Sequence, residues 1–100
     1  MKTEKTTKPY VIVRTYSAGV FAGILEKRNG KEVELSDARR IWYWAGSASL
    51  SELAVRGTSK PEVCKFPAPV NVTLTEAIEI LQTTPDAEER IRKAKIWTSR

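Results

Sequence analysis

Val20-Phe21-Ala22-Gly23-Ile24-Leu25-Glu26-Lys27-Arg28-Asn29-Gly30-Lys31-Glu32-Val33-Glu34-Leu35 decides the fold of this chain. The Asn29-Gly30 pair supplies the positive φ angles of a two-residue hairpin turn. Before it, Val20–Lys27 reads as a strand, and Gly23 inside it marks a bulge or a close approach by another group. After it, Lys31–Leu35 returns antiparallel, with Val33 and Leu35 on one face.

Working upstream, Tyr10–Tyr16 is β-branched and aromatic and reads as a further strand, joined through the tight connection Ser17-Ala18-Gly19. Residues 1–9 read as a flexible polar tail ending at Pro9. Downstream, Ser36-Asp37 reads as a corner. Arg39–Ala45 reads as a strand in preference to a short helix capped by Ser36. Arg40, Trp42 and Trp44 then share one face, and Arg39, Ile41 and Tyr43 the other. Ser49-Leu50-Ser51-Glu52 is a capping box opening a short helix, about residues 50–55, that closes at Gly57. Thr58–Pro69 reads as a proline-broken loop. Val70–Thr83 reads as one long bulged strand, although Thr75–Leu81 also has helical propensity. Thr84-Pro85-Asp86 starts a C-terminal helix, about residues 85–97. The expected architecture is a single α+β domain over residues 10–100, an antiparallel twisted sheet or small barrel with two helices.

Composition narrows the function. The 100 residues are 41% hydrophobic and 29% charged, which is globular rather than disordered. No apolar run approaches the roughly 20 residues that span a bilayer, and the N-terminus has no apolar signal core. One cysteine, Cys64, fits a reducing cytosol. The absence of histidine removes the usual general base near neutral pH and the commonest metal ligand, so no catalytic triad, metal site or cofactor is expected. The net charge of +5 sits mostly at the ends: three lysines and one glutamate in residues 1–9, five basic and three acidic residues in 86–100. That is weak support for nucleic acid, which favours a concentrated basic face.

Three motifs are candidate sites. Arg39-Arg40 beside Trp42-Tyr43-Trp44 combines guanidinium forks with stacking faces; its plain alternative is a core strand with solvated arginines. Arg14 and Tyr16 precede the small-residue turn at Ser17–Gly19, which can present backbone N–H groups to an anion or be an ordinary hairpin. Ser47 and Ser49 precede a helix, where they bind phosphate or simply cap.

Arg14–Val20, Ala38–Trp44 and Ser49–Ala54 together resemble a group of small bacteriophage and prophage proteins carried as a domain of unknown function, over residues 10 to about 90. The resemblance implies a phage-encoded protein acting in the host bacterial cytoplasm, and brings no catalytic residues. Small phage proteins are often accessory factors, including inhibitors of host defence, by analogy. The expected function is a non-enzymatic, homo-oligomeric counter-defence protein that sequesters a nucleotide-type immune signal, a cyclic oligonucleotide or an ADP-ribose derivative. Single-stranded nucleic-acid binding and protein–protein inhibition of a host enzyme are the alternatives. No membrane partner is expected.

Overall fold

The computed structural model describes residues 8–98. In chain order it contains β1 (Tyr10–Thr15), β2 (Val20–Asn29), β3 (Glu32–Arg40), α1 (Leu50–Arg56), a 3-10 turn at Pro61–Val63, β4 (Val70–Leu74), β5 (Ala77–Gln82) and α2 (Pro85–Lys93). The strands form one antiparallel sheet in the order β4-β3-β2-β1-β5. The fold is α+β, and the sheet is open, with β4 and β5 as its edges. Of the expected tail, residues 1–7 lie outside the described residues. Lys8 and Pro9 are tied to β2: Lys8 pairs with Glu26 at 2.5 Å, and the Pro9 carbonyl accepts from Leu25 N–H.

Period-2 alternation along β1 feeds two cores. Tyr10 and Ile12 join Ala22, Ile41, Leu53, Phe66 and Ile91 between the sheet and the helices. Val11 and Val13 join Phe21, Val33, Leu35 and Leu74 on the other face. That second core is closed by the sheet's own curl. Only Thr75 and Glu76 separate β4 from β5, although these are opposite edges, and such a link spans roughly 10 Å at most. The curl also brings Ala77 N–H to the Lys31 carbonyl at 3.0 Å, tying β5 to the β2–β3 hairpin tip. The single strand expected over Val70–Thr83 is therefore two strands.

The hairpin is present with its turn shifted by one residue. Asn29 pairs with Glu32, and Gly30-Lys31 form the turn, with positive φ at Gly30 alone. Ser36-Asp37 is a bulge inside β3 rather than a corner. Asp37 adopts φ 49°, and β3 continues beyond it, paired with β4 at Ala38 and with β2 through Arg40. Gly23 lies against this bulge. A Cβ there would stand 2.8 Å from Ala38 Cα and 3.0 Å from the Ser36 carbonyl oxygen, so the close approach read from sequence is real.

The capping box forms with its reciprocal bond moved one residue, from the N-cap Ser49 to Ala48. Ser49 Oγ accepts from Glu52 N–H at 3.2 Å, and Glu52 Oε1 accepts from Ala48 N–H at 2.5 Å. Thr84 Oγ1 caps α2 by accepting from Ala87 N–H at 3.0 Å and donates to the Val55 carbonyl at 2.7 Å, which fixes α2 to the end of α1. The helix stops at Lys93, four residues before the expected end, because the chain is pulled aside at Ala94 as described below. Among the described residues no helix is long and apolar enough to cross a membrane.

Candidate functional site

The Arg39–Trp44 segment divides between interior and surface. β3 ends at Arg40, and after Ile41 N–H donates to the Val20 carbonyl the chain leaves the sheet, so only the first two residues of the expected Arg39–Ala45 strand belong to one. Arg39 and Ile41 point inward; Arg40 and Trp42 point outward. The expected alternation then breaks, because Tyr43 is 50% exposed rather than sharing the inner face.

Arg39 is 2% exposed and the largest fully buried side chain. Its guanidinium donates to five backbone carbonyls: Pro67 (3.1 Å), Ile91 (3.0 Å), Ala94 (2.6 Å), Phe66 (2.5 Å) and Lys95 (3.4 Å). Burial pulls its pKa below the usual arginine value, but a guanidinium remains charged in a protein. Three of those carbonyls belong to the last turn of α2 and its exit, where helix carbonyls lack partners and the dipole favours a cation. Arg39 thus ends α2 and holds the following chain against residues 66–67. Its donors face protein carbonyls, not a ligand.

The other sequence candidates scatter. Arg40 lies over the Phe21 ring at 4.3 Å and donates to the Ala18 carbonyl at 2.6 Å. Arg14 pairs with Glu79 at 3.0 Å on the outer surface of the β1–β5 pair. Tyr16 is 77% exposed at the β1–β2 turn. That turn is held internally, by Thr15 Oγ1 accepting from Ala18 N–H and donating to the Gly19 carbonyl. Ser47 donates to the Gly57 carbonyl and Ser49 caps α1, so both hydroxyls serve local structure.

What the fold does assemble is an outer ribbon of three short segments. Tyr43 bridges Lys65 antiparallel, with Lys65 N–H donating to the Tyr43 carbonyl at 2.7 Å and Trp42 N–H to the Lys65 carbonyl at 3.1 Å. Phe66 bridges Ile96 in parallel, and Trp97 N–H donates to the Phe66 carbonyl at 3.0 Å. Phe66 turns inward and is fully buried, so its neighbour Lys65 turns outward. The Lys65 ammonium lies 5.9 Å from the Tyr43 ring and 5.5 Å from the Trp97 ring. Trp42 is 64% exposed and Ile96 51%. Beside Trp97 opens a groove of about 300 Å³ whose walls include Glu62, Cys64 and Lys95. An exposed aromatic and cationic face of this kind can stack on planar rings while attracting anions.

Trp42 and Tyr43 were legible as site candidates; Lys65, Trp97, Lys95 and Glu62 were not. The one available signal is the apolar-charged-apolar alternation of Cys64-Lys65-Phe66, the pattern of an extended segment rather than a free loop. A family model matches residues 8–91, from the start of the sheet into α2, and is described as a domain of unknown function. No curated protein and no solved structure matches the chain.

Proposed function

The chain belongs to the DUF6948 family, and we propose that it is a phage-encoded, non-enzymatic protein of the host cytoplasm that binds single-stranded nucleic acid on the Trp42–Tyr43–Lys65–Trp97 face. The observation that carries this reading is the Lys65 ammonium standing beside two rings, with Trp42, the chain neighbour of Tyr43, left in solvent. Bases stack on aromatic faces with little regard to sequence, and lysines follow the phosphates. The face is open along its length, which suits a polymer lying across it. A small nucleotide is held best in a concave site that buries most of its surface.

A second reading is favoured by the groove beside Trp97, which is large enough for one base. In it, the protein sequesters a nucleotide-type immune signal, and a homo-oligomer closes a second copy over the ligand. Titration with a T-tract of about twelve nucleotides and with a cyclic dinucleotide, read by tryptophan quenching, separates the two. Single-strand binding predicts quenching by the oligonucleotide with affinity falling steeply as salt rises. Quenching by the cyclic dinucleotide alone, with a shallow salt dependence, supports the sequestering oligomer. No quenching by either removes the face from the nucleotide class.

A further inference from the structure

Resting on the stacking face just described, we propose that the groove beside Trp97 is a guanine-selective subsite. Three residues of different chemistry line it: the aromatic Trp97, the acidic Glu62 and the basic Lys95. Glu62 sits in the 3-10 turn Pro61–Val63, and Lys95 in the extended exit from α2. Both are exposed, and among the described residues neither side chain has a hydrogen-bond or ion-pair partner. The acidic residues of α2, by contrast, are all paired within the helix: Asp86 with Arg90, Glu88 with Arg92 and Glu89 with Lys93. An acid and a base without partners among the described residues thus line one groove next to an indole.

Their chemistry selects among bases. A carboxylate only accepts hydrogen bonds, and an ammonium only donates them. The Watson–Crick edge of guanine carries two adjacent N–H donors and one carbonyl acceptor. A carboxylate takes both donors in a fork, while an ammonium reaches the carbonyl. Cytosine and adenine each offer one amino donor on that edge, next to an acceptor that a carboxylate repels. Thymine offers a single N–H between two carbonyls. Only guanine presents a donor pair to Glu62 together with an acceptor to Lys95. The Arg39 hydrogen bond to the Lys95 carbonyl and the Trp97 N–H bond to the Phe66 carbonyl hold one wall in place. On the other wall, the hydrogen bond from Cys64 N–H to the Pro61 carbonyl closes the turn that carries Glu62. The walls are thus set before a ligand arrives, which limits the ordering loss on binding.

The test is anisotropy of labelled T-tracts of about twelve nucleotides carrying one central G, C, A or T, with guanosine 5′-monophosphate as a separate arm. The G-containing strand is expected to bind roughly tenfold tighter than the other three, the range that one forked contact to a base supplies. Glu62→Gln is expected to remove that preference, so that the variant binds the G-containing strand and the plain T-tract equally, because an amide offers one acceptor and one repelling donor pair. Equal binding of all four strands by the native protein overturns the guanine subsite and leaves the stacking face standing. Binding of the monophosphate without any strand supports the subsite and overturns the polymer reading. Absence of binding in every arm overturns both.

Discussion

The inner and outer sides of the Arg39–Trp44 segment use the same two kinds of side chain, cationic and aromatic, to opposite ends. Inside, Arg39 stands 5.6 Å from the Phe66 ring and is surrounded by carbonyl acceptors. Outside, Lys65 stands at similar distances from Tyr43 and Trp97 and is otherwise exposed. The two sides are mechanically one unit, since Phe66 and Lys95, whose carbonyls Arg39 holds, adjoin Lys65 and flank Trp97. The difference lies in saturation: the inner cation has its hydrogen bonds filled by the fold, whereas the outer rings and ammonium keep unused capacity. Chemical type alone does not mark a site; unspent capacity at a preset geometry does.

That contrast breaks first at Arg39. Arg39→Ala strands several buried carbonyls at once, and each unsatisfied buried group costs about 1–3 kcal/mol, so the expected loss is at least about 3 kcal/mol in urea denaturation. Arg39→Lys recovers little, because an ammonium cannot span carbonyls reached by a planar fork. A variant that loses less than about 1 kcal/mol would move Arg39 out of the interior account.

The buried side is next probed by pH. Burial pushes the Tyr10 hydroxyl from 10.0 up to about 12, while the Arg92 guanidinium, 4.9 Å from the ring, works the other way. A raised folded pKa means that the stability is fully present below pH 10 and lost as pH climbs from 10 towards 12. The loss across that window is on the order of 2–3 kcal/mol, and Tyr10→Phe flattens it. Thermal melts between pH 9 and pH 12 check this; an unchanged slope in the phenylalanine variant contradicts it.

Gly23→Ala places a methyl group against the Ala38 backbone at the bulge and is expected to cost about 1–3 kcal/mol by equilibrium unfolding. A neutral result would mean that the two strands part readily at that point.

How much of this was readable follows from the range of each interaction. The hairpin, the capping box, the Thr84-Pro85 helix start and the Gly23 approach depend on residues close in sequence, and each has a local signature. The break at Thr75-Glu76 carries none, because the run from Val70 to Gln82 stays apolar and β-branched on both sides of it. The end of α2 is set by Arg39, 52 and 55 residues away from the Ile91 and Ala94 carbonyls it binds. Two adjacent arginines look alike in a sequence. Arg39 is buried because carbonyls from two distant segments converge on it, and Arg40 is exposed because its neighbour already occupies the inner side. Likewise Lys65 and Trp97 meet Tyr43 only through the bridges that Phe66 anchors.

The smallest effect on stability, and the most direct test of the central claim, belongs to the outer face. Trp42→Ala should change the unfolding free energy by no more than about 0.5 kcal/mol, as surface substitutions do, yet remove a stacked base worth about 1–3 kcal/mol of binding. The decisive measurement pairs the melting temperature with T-tract affinity for Trp42→Ala beside the native protein. A nearly unchanged melt with affinity down by about tenfold is the predicted result. A normal affinity in a normally folded Trp42→Ala protein, or a collapsed melt, would contradict the division between a saturated interior and a working surface.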